Sequence, residues 1–390
     1  NAMLWPVRLV VDFVFFATGI AGGLLENEQI VPRARDFFFT QGGELGVFPT
    51  LFLETGFNPN AGARLIAGVG PYGATVRAGY GGPDANVVEA RMRYGFSLGF
   101  PAVTSLEGYH DRRTGLGYWG LGQTPETDPR NLFRNGPAIG IYRERRERVI
   151  AGLGLRPLTN FEVLLSSSLT QRYVQDPEDP NPTSALTDVF YRPSIVGANR
   201  TERVLYSELA LRYDSRATRT GVAPGLLIEG YGGISQGVIY ESARFGRTGF
   251  QIAGFASFVR KSSILSPRLA VDALVPWNDV PIPFKEYTGQ PTYRGFDNRR
   301  DLVSAVASLD YRWHVMRFVA ARLFFDVARV FPSLSELRFD HLRWAAGFGF
   351  DLHTSSTQVG RVAVAGSLEG FNLLLTLGVP VGFGDRQHRE

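Results

Sequence analysis

An arginine flanked by a glycine and two aromatic residues stands in the segment PTYRGFDNRR, residues 291–300. These four residues are Tyr293, Arg294, Gly295 and Phe296. A guanidinium group presents its donors in a rigid fork that matches a carboxylate or a phosphate, so Arg294 could form a bidentate ion pair. The segment lies within residues 276–302, which are rich in Pro, Gly and charge and predict neither helix nor strand. A turn with a solvated charge is the alternative interpretation.

Other segments match catalytic or ligand-binding motifs only superficially. GLGYWG, residues 115–120, has the glycine spacing of a dinucleotide-binding loop. That motif needs a strand before it and a helix after it, and we predict a loop instead. The histidines show no metal-ligand spacing and the chain has no cysteine, so we predict no metal site and no cofactor.

Two further clusters have both a functional and an ordinary interpretation. His353 with Asp351 and Ser355 could form a hydrolase triad, but a strand end followed by Thr-Ser-Ser is far more often a polar turn. We therefore predict that the protein is not an enzyme. The segment QDPEDPNPT, residues 175–183, offers four oxygen ligands to a calcium ion, although its prolines and lack of glycine favour a solvated loop. These ligands would be Asp176, Glu178, Asp179 and Asn181.

The composition indicates a chain with many strands. Its 390 residues include 45 glycines and 13% aromatic residues, with 44% hydrophobic residues overall and a mean hydropathy of −0.06. A bundle of membrane helices would be far more apolar. The net charge is +4 and the sequence contains no long block of like charge, so we predict no nucleic-acid partner.

The first 46 residues differ from the rest. Residues 3–25 are mainly apolar, but Arg8 and Asp12 interrupt them at i,i+4 spacing, which is typical of an amphipathic helix. The apolar run between Asp12 and Glu26 is too short to span a membrane. We predict that residues 1–46 form an N-terminal periplasmic helical segment in which Arg8 and Asp12 pair on the helix surface. A remnant of a signal segment and a plug of the pore are alternatives.

From residue 47 onward, apolar and polar residues alternate with a period of two. This pattern predicts sixteen strands, at 47–55, 62–69, 73–80, 86–96, 102–112, 136–156, 161–172, 203–213, 225–235, 248–260, 266–275, 302–313, 317–328, 341–352, 360–368 and 370–383. The prediction for 136–156 has an alternative, because YRERRER could be the turn of a separate hairpin.

The strands are about ten residues long, as a tilted crossing of a membrane requires, whereas strands of soluble sandwiches are shorter. One face is apolar and the other carries charge and glycine, and aromatic residues fall near the strand ends. We therefore predict that residues 47–390 form an all-β, closed antiparallel transmembrane β-barrel of about sixteen strands, because an open edge cannot stand in lipid.

Three predicted connections are long, at residues 113–135, 173–202 and 276–301, and long loops of such barrels are extracellular. The segment with Arg294 is thus expected in an extracellular loop, with both chain ends in the periplasm. RERRER, residues 143–148, would lie at the extracellular rim, where it could contact lipopolysaccharide phosphate or simply remain hydrated.

Several segments, in this order, resemble the BamA/TamA superfamily of outer-membrane barrels, also called the bacterial surface antigen family. They are YWGLGQT, PTYRGF, SLDYRW, LFFDVARVF, AAGFGFDL and AVAGSLEGFNLLLTLGVPVGF. Asp310 stands where the family usually has glutamate, and Arg329 where glycine is more usual. The resemblance covers about residues 46–383.

In such barrels the long loop folds back into the lumen and its arginine meets acidic residues on the inner wall. The resemblance implies that Arg294 pairs with Asp310 and Asp326, that Gly295 lets the backbone pass close to the wall, and that the two aromatic residues wedge the tip. It assigns a lumen lock of Tyr293, Arg294, Gly295 and Phe296, and wall partners Asp310, Arg312 and Asp326.

The resemblance also implies a location in the bacterial outer membrane and a role in translocation or insertion of protein or lipid. Outer-membrane lipid, lipopolysaccharide and a protein or lipid substrate are the expected partners, and a homodimer is possible. A passive channel or a structural surface barrel is the alternative. Only about 46 residues precede the first strand, so we expect a short member without POTRA domains.

Overall fold

The computed structural model describes residues 40, 44–54, 60–83, 85–178, 184–216, 223–238, 243–258, 260–289, 293–295, 299–316, 319–336, 338–353 and 358–377. Nearly all of the predicted N-terminal segment, with Arg8 and Asp12, lies outside these residues, as does Phe296.

The described residues form sixteen strands. They are β1 (Leu45–Glu54), β2 (Asn60–Val69), β3 (Tyr72–Tyr80), β4 (Asn86–Ser97), β5 (Pro101–Tyr118), β6 (Gly140–Leu158), β7 (Phe161–Gln175), β8 (Thr201–Asp214), β9 (Gly225–Gly237), β10 (Arg244–Phe258), β11 (Arg260–Pro276), β12 (Val303–Met316), β13 (Val319–Phe331), β14 (Arg343–His353), β15 (Gln358–Ser367) and β16 (Gly370–Leu377). Two short helical turns, α1 (Leu186–Val189) and a 3-10 turn (Arg192–Ile195), interrupt the β7–β8 connection.

Each strand pairs antiparallel with its neighbours in the sequence, which confirms the prediction of an all-β antiparallel sheet. The strand order also closes into a barrel, because β1 pairs with β16 as well as with β2. The described part of the β1–β16 ladder has three residue pairs, centred on Leu53 opposite Leu375. We call the two faces of this closed sheet inner and outer.

Period-two alternation divides each strand between these faces. In β8, Glu208 and Arg212 on the inner face are 4% and 5% exposed, whereas Leu209 and Leu211 on the outer face are each 45% exposed. Charged side chains are therefore enclosed and apolar side chains face outward, the reverse of a water-soluble protein.

The predicted strand at residues 136–156 is a single strand, β6, and YRERRER lies within it. The β6–β7 ladder runs from Arg143 opposite Gln175 to the turn after Leu158, so the hairpin alternative is wrong. Strands β5 and β7 also extend beyond their predicted ends, and the connections that follow them span residues 119–139 and 176–200. Among the described residues, no helix is long and apolar enough to cross a membrane.

The three long connections, after β5, β7 and β11, leave the barrel at the same end because they all follow odd-numbered strands. Their aromatic side chains pack together. Phe284 of the β11–β12 loop lies 4.7 Å, ring to ring, from Tyr118 at the end of β5, which lies 5.1 Å from Phe190 beyond α1. Phe190 is 0% exposed. We call Tyr118, Tyr142, Phe190 and Phe284 the cap cluster, because they join three loops at one end of the barrel.

Candidate functional site: the β11–β12 loop inside the barrel

Arg294 of the β11–β12 loop contacts two carboxylates on the inner face. Its backbone N–H and its Nε both donate to Oδ2 of Asp326, at 3.0 Å and 2.8 Å, and its Nη2 donates to Oδ1. Its Nη1 donates to Oδ1 of Asp310 at 2.5 Å. Burial disfavours the charged form of Arg294, but the hydrogen bonds to Asp326 and the charge of Asp310 raise its pKa overall. The guanidinium group is thus held charged against the wall.

The register explains why these two carboxylates meet one arginine. Asp310 lies midway along β12, and Asp326 lies on β13 opposite Ser308, one inner-face position away. The guanidinium group also lies 3.9 Å from the centre of the Phe324 ring, a cation–π contact. Nδ2 of Asn372 in β16 donates to the Arg294 carbonyl at 3.0 Å, so the loop tip also contacts the last strand.

The neighbours of Arg294 fit the wall closely. Tyr293 is 7% exposed and packs with Val306, Ala328 and Ala345. A Cβ atom at Gly295 would lie 2.7 Å from the Cβ of Ala345, closer than side chains approach each other. Glycine is therefore required here by close approach to β14, as the resemblance implied.

Arg312 lies on the same inner face as Asp310 but opposite Arg322 of β13. Nη2 of Arg322 donates to Oδ2 of Asp351 at 2.6 Å, and Nε of Arg361 donates to the other oxygen at 2.8 Å. Asp351 thus pairs with two arginines, on β13 and β15. The wall beside Asp310 thus carries arginines and aspartates close together, and Arg312 lies beside Asp310 on β12.

A second attachment holds the same loop to another part of the wall. Nη1 of Arg172 in β7 donates to Oε1 of Glu286, and its Nε lies 2.8 Å from Oε1 of Glu144 in β6. Nζ of Lys285 lies 3.1 Å from the other oxygen of Glu144. This cluster could not be predicted from local sequence, because Arg172 and Glu286 are 114 residues apart.

A third attachment joins the loop to the β5–β6 loop. Both terminal nitrogens of Arg130 donate to the carboxylate of Asp301, at 2.8 Å each, and Asp301 is 1% exposed. Asp128 accepts from Nε of Arg130 at 3.0 Å and from its Nη2 at 2.6 Å. Burial alone would raise the pKa of Asp128, but the hydrogen bonds from Arg130 lower it below its ordinary value.

The other candidate sites from the sequence analysis are explained by ordinary structural contacts or lie partly outside the described residues. Residues 115–118 of GLGYWG belong to β5 and an irregular loop follows them, not a helix. The carboxylate of Asp351 is engaged by the two arginines named above, and Ser355 lies outside the described residues. Asp176 accepts from the N–H and hydroxyl of Thr187 at 3.1 Å and 2.6 Å. No group of three or more metal-ligating side chains occurs in the described part of the chain.

RERRER alternates between the two faces of β6. Glu144, Arg146 and Arg148 face inward, where Nη2 of Arg146 donates to Asp111 at 3.2 Å. Arg145 and Glu147 face outward, with side chains 49% and 46% exposed. The predicted basic rim is therefore only partly on the outer surface.

The fold resembles that of known outer-membrane barrels. It matches the crystal structure of BamA from Haemophilus ducreyi lacking POTRA domains 1-3 with a TM-score of 0.59 and 9% identity, over 86% of this chain and 70% of that chain. It also matches CdiB from Acinetobacter baumannii with a TM-score of 0.49 and 10% identity, over 86% of this chain and 60% of that chain. No protein-family model and no curated protein matches the sequence. The chain thus has a BamA-like fold, as the ordered motifs predicted.

Proposed function

We propose that this protein spans the bacterial outer membrane as a β-barrel and passes or inserts protein or lipid, with its lumen closed at rest by the β11–β12 loop. The observation that carries this proposal is the attachment of Arg294 to Asp310 and Asp326 inside the barrel. A loop attached to the inner wall by its tip obstructs the interior, and a polar attachment can be exchanged for water when the loop moves.

Membrane insertion is supported by an uncharged outer band. On β7 the outward positions of residues 161–169 are Phe161, Val163, Leu165, Ser167 and Leu169. On β8 the outward positions of residues 205–213 are Leu205, Ser207, Leu209, Leu211 and Tyr213. The only polar pair, Ser167 and Ser207, hydrogen-bonds internally at 3.0 Å. A band of roughly nine residues matches the length at which a tilted strand crosses the hydrocarbon layer.

Closure of the lumen is supported by the path of the loop. Near its start, Glu286 pairs with Arg172 of β7, and further on Arg294 pairs with Asp326 of β13. These strands belong to well-separated parts of the ring. The loop therefore extends across the interior between these two attachments.

The BamA-like fold supports a role in passage or insertion rather than simple diffusion. In this proposal the β1–β16 junction opens laterally so that a protein or lipid moves between the lumen and the bilayer. The described ladder at this junction has three residue pairs, whereas β7 and β8 share a ladder from Phe161 to Tyr173. Residues 55–59, which follow Glu54, lie outside the described part of the chain, so the three pairs are counted among the described residues only.

Single-channel recordings in planar bilayers test the closed lumen. We expect the wild type to be silent and Arg294→Ala to show openings. Arg338→Ala, which removes an exposed arginine from the same end of the barrel, is the matched control and should remain silent.

A structural surface barrel without transport is the second candidate, and the cap cluster favours it. Three loops packed through Tyr118, Phe190 and Phe284 could close the end of the barrel permanently. Silence of both wild type and Arg294→Ala would support this candidate. Large steady openings of the wild type would instead show a passive channel and would overturn the closed-lumen proposal.

A further inference from the structure

Two arginines on the inner face lie directly opposite each other close to the β1–β16 junction. Arg64 of β2 pairs in register with Arg77 of β3. Their outward neighbours, Leu65 and Val76, are 39% and 42% exposed, so both arginines lie on the inner face. Like charges in directly opposed positions repel. An anion between these two side chains would relieve that repulsion.

The strands around this pair supply little negative charge. Neither β2 nor β3 contains an aspartate or a glutamate. Glu89 of β4 lies opposite Arg77, and its charge also acts on Arg64. One inner position further along β4, Arg91 lies 2.9 Å from Glu107, so that carboxylate is already engaged. Among the described residues, Arg64 and Arg77 therefore share one carboxylate.

Four polar atoms on the inner face of β1–β3 are buried and have no hydrogen-bond partner within the described part of the chain. They are Oγ1 of Thr50, Oδ1 of Asn60, Nε of Arg64 and Nε of Arg77. Thr50 is 3% exposed. Buried polar atoms without partners are rare and unfavourable in folded proteins. Four of them at neighbouring positions indicate that a bound molecule supplies their hydrogen-bond partners.

These four side chains are close together on three adjacent strands. Thr50 lies opposite Gly62, one inner position from Arg64. Asn60 reaches the same level, because its Oδ1 lies against Gly79 of β3, which is also opposite Gly62. Inner positions are about 7 Å apart along a strand, and three strands span about 10 Å. The cluster is thus about the size of a phosphate group with its ester linkage.

The cluster lies beside the junction that is proposed to open. On this side of the ring only β1 separates β2 from β16, and Thr50 belongs to β1 itself. On the outer face of the same strand, Leu45 and Val47 are 44% and 49% exposed. A molecule with a phosphate inside and acyl chains outside would therefore meet polar partners on one face of β1 and apolar surface on the other. A free phosphate ion would use only the inner face.

We propose that Arg64, Arg77 and Thr50 bind the phosphate of a phospholipid whose acyl chains extend through the β1–β16 junction to the outer face. The inference rests on the proposed function and assigns a lipid as its substrate class. Guanidinium groups bind phosphate oxygens through paired hydrogen bonds. A phosphate monoester carries up to about two negative charges and can pair with both arginines, whereas a side-chain carboxylate of a polypeptide carries one.

Native mass spectrometry of the folded protein in an uncharged detergent tests this site. The probes are a phosphatidic acid and the diacylglycerol with the same acyl chains, which lacks the phosphate. We expect the wild type to retain the phosphatidic acid preferentially. Arg64→Gln and Arg77→Gln should each weaken this preference about tenfold, as expected for the loss of hydrogen bonds to a charged group. The double variant should show no preference.

Arg338→Gln removes the same charge from an exposed loop and should retain the phosphatidic acid like the wild type. Equal retention of both lipids by the wild type, or an equal loss of preference in Arg338→Gln, would overturn the inference. Full competition by millimolar inorganic phosphate would overturn it in favour of an ion site. Full competition by an acidic peptide at the concentration of the lipid would overturn it in favour of a polypeptide substrate.

Thermal unfolding separates lipid binding from folding. Without lipid, Arg64→Gln should unfold at the same temperature as the wild type or higher, because it removes a pair of like charges. Phosphatidic acid should raise the unfolding temperature of the wild type more than that of the variant. A lower unfolding temperature of the lipid-free variant would show that the arginine stabilises the protein by itself and would contradict the inference.

A closed junction tests the route of the acyl chains. A disulfide between Leu53→Cys and Leu375→Cys, formed before the lipid is added, should abolish retention. One between Leu165→Cys and Leu209→Cys on β7 and β8 should not. Equal retention by the two cross-linked barrels would rule out the proposed route and overturn the inference. Failure of the wild type to insert into vesicles would refute the proposed function, whereas insertion without phosphate-dependent retention would refute this inference alone.

Discussion

Asp326 binds Arg294 through both the backbone and the side chain of the arginine. Its Oδ2 accepts from the arginine N–H at 3.0 Å and from Nε at 2.8 Å, while its Oδ1 accepts from Nη2. Asp326 is 0% exposed. One buried carboxylate therefore fixes the position of the loop backbone as well as the direction of the guanidinium group.

Asp326→Asn should loosen the loop tip more than Asp310→Asn. Loss of the Asp326 charge leaves Arg294 with one carboxylate, and breaking a buried ion pair costs about 3–5 kcal/mol, less where water enters. Asp310→Asn leaves all the hydrogen bonds to Asp326 in place. The measurement is the urea dependence of proteolytic cleavage within residues 277–302.

Asp279→Asn makes the same chemical change at an exposed position of the same loop. This variant should be cleaved with the same urea dependence as the wild type. If Asp310→Asn loosened the loop as much as Asp326→Asn, the two carboxylates would contribute equally and the assigned order would be wrong.

Gly295→Ala should destabilise the attached loop by about 1–3 kcal/mol, because the added methyl group overpacks against β14. A Cβ there would lie 2.7 Å from the Cβ of Ala345 and equally close to the Tyr293 ring. Ala345→Gly in the same chain should restore part of the loss, since it removes one of the two clashes. Loop proteolysis in this double-mutant cycle measures the coupling, and strict additivity would show that the methyl groups do not meet.

Acid should loosen the β5–β6 loop, because Asp128 holds Arg130 within that loop. The pKa of Asp128 is lowered in the folded protein, so its contribution is complete above its ordinary pKa of about 4 and is lost as the pH falls through the lower folded value. Hydrogen exchange of residues 119–139, corrected for intrinsic rates, should rise below pH ~4. Arg130→Gln removes the partner of Asp128 and should exchange rapidly at every pH; a pH response like that of the wild type would exclude Asp128 as its source.

The β1–β16 junction should open more often than an ordinary ladder. Amides of residues 52–54 are expected to exchange about tenfold faster than those of residues 161–173 in β7. A disulfide between Leu53→Cys and Leu375→Cys, which are register partners, should remove this difference.

A disulfide between Leu165→Cys and Leu209→Cys, register partners on β7 and β8, is the matched control and should leave the junction unchanged. Equal protection of both regions in the wild type would indicate a static barrel and would argue against lateral opening.

The sequence alone predicted the strands well, because their pattern is local. Alternation of Leu209 and Leu211 with Glu208 and Arg212 assigns every residue of β8 to a face without reference to any other strand. The same pattern located all sixteen strands, including β6, with ends that differ from the described ones by up to six residues. The predicted C-terminal ends of β5 and β7 were too early. Both strands continue beyond the apolar outer band, and there polar residues no longer alternate with apolar ones.

The motifs that resemble those of the BamA/TamA superfamily also indicated the BamA-like fold and the pairing of Arg294 with Asp310 and Asp326. They were informative because they occur in the same order along this chain as in the superfamily. The geometry of that pairing required the structure. Local sequence does not show that the Arg294 backbone also contacts Asp326, or that Asn372 of the last strand contacts the loop.

Only the tertiary structure decided which distant residues meet. Arg172 pairs with Glu286 and Arg130 with Asp301 because ring closure brings loops from one end of the barrel together. The opposition of Arg64 and Arg77 likewise depends on register, since a shift of one residue would turn one of them outward. Alternation fixes the face of a residue, whereas its partners follow from strand register and the closure of the sheet.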